Sequence, residues 1–246
     1  MTIRNVVKIL PLIIAMALAP SAGAQTDKST TIINDMIAAL GGKKFLDVRE
    51  MQTSAKIFVF KRDQMTGTGD IADYIKYPDK LRRESGTARI KPAEIYNGDS
   101  GWQVNDKKIE EYSAADVKDF QASFHTGFQY VARFILGKPG LTTQYVGSTL
   151  IDYKANDTVE FRDSGNFFRL YVDQETHLPT KMEVRRAGES FLREEQYANW
   201  HEFQAIKTPL FVIRFQNGER TSEMRLANVA YNTGLADSLF NPPSPK

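Results

Sequence analysis

Most of this 246-residue chain alternates apolar and polar residues at a period of two, and the breaks between the alternating runs are short. Short breaks join only antiparallel neighbours, because a parallel pair needs a crossover of about a dozen residues or more. The runs before the middle of the chain are Met51 to Lys61, Thr68 to Tyr77, Lys80 to Ser85, Ala93 to Tyr96, Trp102 to Val104 and Lys108 to Tyr112. After it come Thr142 to Tyr153, Thr158 to Arg162, Phe167 to Asp173, Thr180 to Arg186, Phe191 to Phe203, Thr208 to Gln216 and Thr221 to Tyr231. Turn residues mark the breaks, among them Asp63 to Gly67, Pro78-Asp79, Asn97 to Gly101, Asn156-Asp157, Gly165-Asn166, Ala187-Gly188 and Asn217-Gly218. In the last run the apolar phase slips from Met224 and Leu226 to Val229 and Tyr231, which predicts a bulge near Ala227-Asn228. A meander of about 11 to 13 strands must curl or close, since twisted open sheets rarely exceed about 10 strands.

Helical periodicity dominates one long segment, Ser113 to Gly137. Val117, Phe120, Phe124, Phe128, Val131 and Ile135 form one apolar stripe along it. Ser113 can cap its start, Gly127 bends or splits it, and Gly137 with Pro139 ends it. A shorter amphipathic helix is expected over Thr30 to Leu40, closed by Gly41-Gly42, with a possible second turn from Lys43 to Val48. The fold expected is mainly β (α+β): an incomplete antiparallel barrel with helices lidding its concave face.

The N-terminus reads as an export leader, residues 1–24. Arg4 and Lys8 precede an eleven-residue apolar run, Ile9 to Ala19, and Ala22-Gly23-Ala24 offers a cleavage site. Residues 25–246 are then one domain, with the periplasm as the expected compartment. Removing the leader takes two of the 32 basic residues and none of the 30 acidic ones, so the remainder is neutral. Neutrality with interspersed signs argues against nucleic acid as a partner. There is no cysteine, hence no disulfide or thiolate chemistry.

Catalytic and metal signatures are missing. His125, His177 and His201 have no ligand spacing, and His201-Glu202 lacks the second histidine of a zinc helix. Gly67-Thr68-Gly69 lacks the third glycine of a dinucleotide loop, and there is no nucleophile elbow. No metal site is read from the residues; a carboxylate pair for hydrolysis could be assembled from strands in space, though nothing in the sequence points to one. What it has in quantity is bulk: fifteen Phe, ten Tyr and two Trp. Such side chains suit either a core or a pocket for an apolar chain, and periodicity does not separate the two.

A set of motifs in order resembles the periplasmic lipoprotein carrier superfamily, the lipoprotein-localisation carriers and the outer membrane lipoprotein-sorting proteins. They are Gly41-Gly42, Gly67 to Ile71, Lys76 to Arg82, Tyr96 to Trp102, Tyr171 to Asp173, Leu178-Pro179, Gln216 to Gly218 and Leu239 to Pro242. The resemblance implies a lidded half-barrel that binds acyl chains of a lipid or lipoprotein and transfers them between membranes, with no enzyme activity and no cofactor. Membrane-bound donor and acceptor proteins are possible partners, and a monomer is expected. Carriers that latch their lid place an arginine just before the strand-ending proline; here that position is Tyr77, after Lys76. A relative with its own cargo is the reading that follows.

Alternation assigns Phe58, Phe60, Ile71, Ile75, Trp102, Phe168, Leu170, Phe211, Ile213 and Phe215 to the cavity wall. The helical stripe, Val117, Phe120, Phe124, Phe128, Val131 and Ile135, closes it. A buried chain of about 14 methylenes would gain about 10 kcal/mol before association costs. One alternative is a periplasmic sensor or adaptor of the same fold that binds a protein partner through an exposed apolar patch; another is a hydrolase with an unrecognised site, which would gather titratable residues of shifted pKa in a cleft.

Overall fold

A computed structural model describes residues 22–86, 92–106 and 108–243. The expected leader lies outside these residues except at its end. Two helices open the fold, α1 (Ala22–Leu40) and α2 (Lys43–Leu46). Six strands follow: β1 (Glu50–Lys61), β2 (Gln64–Lys76), β3 (Lys80–Ser85), β4 (Ala93–Asn97), β5 (Ser100–Asn105) and β6 (Lys108–Glu111). The helical segment is next, α3 (Ala114–His125), then α4 (Phe128–Tyr130) running into a π-helical turn (Val131–Ile135). Seven strands complete the sheet: β7 (Thr143–Ile151), β8 (Lys154–Asp163), β9 (Asn166–Asp173), β10 (Pro179–Arg185), β11 (Arg193–Phe203), β12 (Ile206–Gln216) and β13 (Glu219–Tyr231). A short 3-10 helix (Asp237–Phe240) ends the described chain.

All thirteen strands form one antiparallel sheet in the order β6-β5-β4-β3-β2-β1-β13-β12-β11-β10-β9-β8-β7. The first and last strands pair at its middle, and its two edges are β6 and β7. Those edges are the strands that the helical segment joins. That segment is therefore a crossover from one edge of the curled sheet to the other, over the concave face. The sheet is an incomplete barrel, as the alternation predicts.

Five hairpins turn on two residues that are both left-handed: Arg62-Asp63, Asp152-Tyr153, Ser164-Gly165, Gln204-Ala205 and Asn217-Gly218. This geometry matches the twist of the flanking strands. Two of them carry the glycine that marks such turns. The other three do not, which corrects the sequence reading at two places. The turn expected over Asp63 to Gly67 is confined to Arg62-Asp63, and β2 begins at Gln64. The turn expected at Asn156-Asp157 lies at Asp152-Tyr153, and Asn156 is a fully buried residue inside β8. The bulge in β13 is where the phase slip puts it: Ser54 pairs with Asn228 and Ala55 with Leu226, leaving Ala227 extra. The extra residue keeps Met224, Leu226, Val229 and Tyr231 all on the concave side.

The helices divide the concavity. α1 lies against β7 and reaches β12, and its Ile32, Ile33, Met36 and Leu40 share one buried cluster with Val159, Phe161, Phe168, Leu170 and Met182 of β8 to β10. Ser29 fixes the position, its Oγ 2.7 Å from Oγ1 of Thr143. Gly41, at φ 125°, ends α1 so close to the β11–β12 turn that a Cβ there would lie 2.5 Å from the Ala205 carbonyl oxygen. That half of the sheet is filled by the protein itself.

Candidate ligand-binding cavity

The other half is not filled. Beneath α3 and α4 lies a cavity of about 400 Å³, within the roughly 300–1,000 Å³ range of small-molecule sites. Its floor is Met51 and Thr53 of β1, Asp73 and Ile75 of β2, Leu81 and Arg83 of β3, and Glu94 of β4. On the far side it is Glu195 and Tyr197 of β11, Thr208, Val212 and Arg214 of β12, and Met224 and Leu226 of β13. The roof is Phe120, Ser123, Phe124, Phe128, Gln129 and Tyr130. A recess of about 160 Å³ continues past Ser123, Gly127, Glu195 and Arg214.

Aromatic rings carry the roof on the sheet. Tyr96 stacks on Phe120 with centroids 3.6 Å apart, and Phe124 stacks on Tyr77 at 5.7 Å. Tyr77 also meets Phe134 at 5.5 Å. Such pairs favour offset stacking, and each adds about 0.5–1.5 kcal/mol beyond its area. Tyr77 is thus a buried ring against the lid. Its neighbour Lys76 turns the other way, bonding the Leu235 carbonyl (2.8 Å) and Asp237 (3.2 Å).

Few polar ties hold α3 to the sheet. Ser113 and Asp116 form a reciprocal capping box at its start. Gln121 donates to the Gly98 carbonyl (2.5 Å), Arg186 to Oδ1 of Asp119 (2.7 Å), and His125 through Nε2 to the Pro78 carbonyl (3.2 Å). At Thr126-Gly127 the helix breaks, as the glycine predicts.

Burial holds the His125 pKa below the ordinary imidazole value, assisted by Lys138 and opposed by the Pro78 hydrogen bond and Asp79. The unfolded chain therefore binds the proton more readily than the folded one. Above the unfolded pKa of about 6.5 this group has no effect, and below it protonation destabilises the folded lid until the lower folded pKa is passed. Release of a bound fluorescent lipid, followed by stopped flow, is expected to accelerate from about pH 7 to pH 5. His125→Gln is expected to flatten that profile, and a pH-independent rate in the unaltered protein would refute the coupling.

Electrostatics in the cavity are asymmetric. Arg83 makes a two-point ion pair with Asp73, both contacts at 2.7 Å. Burial opposes the Arg83 charge, and the Asp73 carboxylate outweighs it, so its pKa is raised. Arg214 bonds Glu195 at 2.7 Å, and Tyr197 donates to the same carboxylate at 3.0 Å. Glu94, cross-strand from Arg83, makes one carboxylate more than the arginines lining this end. Among the described residues no group of three or more His, Asp or Glu has the arrangement of a metal site.

Of the residues assigned from alternation, Ile75, Phe120, Phe124 and Phe128 line the cavity. Phe168, Leu170, Val131 and Ile135 are buried in the main core rather than at the cavity wall, and Ile71 and Val117 are buried outside it. The other strand positions need correction. Met51 and Thr53 line the floor from β1, so Phe58 and Phe60, of opposite parity, lie on the convex face, as do Phe211 and Ile213 beside Val212. There Arg225 covers Phe58 (5.0 Å) and Phe211 (5.5 Å), and Arg220 covers Phe60 (3.7 Å). Trp102 belongs to a separate convex cluster with Ala93, Ile95, Val104 and Ile109, and Phe215 borders only the smaller recess. Both faces of β1 and β12 are apolar, so alternation has two solutions. Cation–π cover makes the outer one tolerable in water. Asp73, Arg83, Glu94, Glu195 and Arg214 escape a sequence reading because charge on a strand ordinarily signals solvent.

Comparison with solved structures locates the architecture. A domain assigned to the outer membrane lipoprotein-sorting proteins, from Vibrio parahaemolyticus, superposes with a TM-score of 0.56 at 13% identity, over 88% of this chain and 97% of its own. A LolA superfamily protein from Nitrosomonas europaea gives 0.55 at 14% identity, over 91% and 99%. The chain has the LolA-type fold. A DUF1329 protein from Desulfovibrio piger, at TM-score 0.60 and 12% identity over 88% and 97%, shares it. No protein-family model matches the sequence, and no curated protein matches it. In this LolA-type half-barrel the cavity lies between the edge-to-edge crossover and the strands around the β1–β13 seam.

Proposed function

We infer that the protein is a non-enzymatic carrier which encloses an acyl chain of a lipid or lipoprotein in the cavity beneath α3 and releases it when that helix lifts. The observation that carries this reading is the contrast between the two halves of the concavity. One is packed with α1, while the other keeps about 400 Å³ under a roof tied by a handful of hydrogen bonds. Burying methylenes is non-directional and is worth roughly 0.8 kcal/mol each, so such a space selects for hydrocarbon. Break points at Thr126-Gly127 and around Gly140 are where the lid would hinge. The leader read in the sequence supports a periplasmic carrier, with residues 25–246 as its one domain, and transfer between membranes would use membrane-bound donor and acceptor proteins.

Mass spectrometry of the protein extracted from its expression host is expected to find a single class of co-purified lipid near one per chain. Protein that carries none, and that fails to bind a neutral fluorescent probe, would end this reading. Docking to a protein partner is favoured by one observation, the β7–β8 hairpin, where Leu150 and Tyr153 are 72% and 101% exposed. Lipid occupancy separates the two.

A further inference from the structure

Arg133 is out of place in a container for plain hydrocarbon. It projects from the π-helical turn into the core and is 8% exposed. Its Nε donates to the Phe45 carbonyl (2.8 Å), and Nη1 donates to the carbonyl (3.1 Å) and Oε1 (2.7 Å) of Gln129. The guanidinium lies over the rings of Phe45 (4.2 Å) and Tyr77 (5.4 Å). Among the described residues Nη2 has no hydrogen-bond partner, and no carboxylate is within ion-pairing distance of this side chain. Burial pulls its pKa down, opposed by the nearby hydroxyls of Tyr77 and Tyr231, yet arginine stays protonated in proteins. A buried cation held by neutral acceptors alone is unfavourable, and a leucine would pack there at lower cost.

The neighbours of this group face the cavity. Gln129 and Tyr77 line it, and Tyr231 is 2.7 Å from the hydroxyl of Thr208, which also lines it. The cavity is thus polar at both ends with opposite sign. Asp73, Glu94 and Glu195 outnumber Arg83 and Arg214 at one end, and Arg133 lies behind Tyr77, Gln129 and Thr208 at the other. Met51, Ile75, Leu81 and Phe124 form the apolar belt between them.

We propose that Arg133 is the head-group site of the cavity, and that the cargo is a single-chain amphiphile ending in a carboxylate. The carboxylate accepts from Nη2 beside the hydroxyls of Tyr77 and Thr208, after the Gln129 amide swings off Nη1, and the tail runs along the apolar belt toward Asp73 and Arg214. The carboxylate then supplies the counter-charge that the buried guanidinium lacks among its neutral acceptors, and a buried charge left uncompensated is the costly state. This inference rests on the carrier reading and adds the chemistry of the head.

The test is displacement of the neutral probe N-phenylnaphthylamine from the full-length protein, near pH 8, by palmitate and by hexadecanol. Palmitate is expected to displace it at about tenfold lower concentration or better. Arg133→Met is expected to bring palmitate to the level of the alcohol while leaving the alcohol unchanged, and Arg133→Lys to recover part of the difference. Equal displacement by acid and alcohol from the unaltered protein overturns the head-group site and leaves the carrier reading standing. A probe that neither ligand displaces overturns both. Because the unaltered protein alone gives this comparison, the result does not depend on whether Arg133→Met folds. Where that variant folds, an equal loss of both ligands assigns Arg133 a packing role and overturns the proposal.

Discussion

Replacing Phe168 with alanine is expected to cost about 3–5 kcal/mol of folding stability and to leave the affinity of the folded protein for lipid unchanged. Phe168 has no exposed surface and stacks on Phe161 across β8 and β9, with centroids 4.9 Å apart and planes within 7°. It lies in the half of the concavity that α1 fills, among side chains already packed on all sides. Deleting the ring therefore removes burial and opens a void that the neighbours, pinned by the sheet, cannot close. Denaturant unfolding measures the loss, which in a chain of this size corresponds to a fall in melting temperature of about 10 °C. A loss below about 1 kcal/mol would mean that the α1 half is loosely packed too, and that the cavity under α3 is not a distinct compartment.

The second large effect concerns binding. Leu226→Trp is expected to weaken binding of an acyl ligand about tenfold or more while changing stability by less than about 1 kcal/mol. Leu226 reaches the cavity floor from β13, next to the bulge. An indole there projects into unfilled space rather than into packed atoms, so the usual overpacking cost of about 1–3 kcal/mol is avoided. The volume it takes displaces two or three methylenes of cargo, each worth roughly 0.8 kcal/mol, which sets the tenfold scale. Phe211→Ala is the matched control. Phe211 is 37% exposed on the convex face beneath Arg225, and its loss should leave binding untouched. If Phe211→Ala abolished binding and Leu226→Trp did not, the ligand would sit on the opposite face of the sheet.

The head-group site and the lid share an element, and this links the two ends of the mechanism. Arg133 lies on the segment that follows the break at Gly127, and His125 lies just before it. Tyr77 contacts both sides, stacking on Phe124 and lying under the Arg133 guanidinium. A carboxylate drawn to Arg133 would therefore act on the segment that hinges.

Much of this was legible in the residues before any coordinates. Period-two alternation with short breaks leaves only an antiparallel meander, and a meander this long has to curl. The stripe from Val117 to Ile135 with a glycine inside it reads as a broken amphipathic helix, and the phase slip before Val229 reads as a bulge. These are local signals, set by the pleat, the helical repeat and the lack of a side chain at glycine. Two turns were misplaced because Arg62-Asp63 and Asp152-Tyr153 adopt left-handed geometry without glycine.

Which face of each strand looks inward was decided only by the tertiary structure. Phe58 and Ile57 alternate equally well toward either side, and the choice falls to the pairing of β1 with β13 and to the arginines that cover the outer aromatics. The same holds for Arg133, which a helical wheel marks as a surface cation beside a greasy stripe. It is buried because the crossover spans the sheet from edge to edge and lays its π-helical turn against α2 and Tyr77. Periodicity reports the pattern along one element, whereas burial depends on what a distant element brings against it.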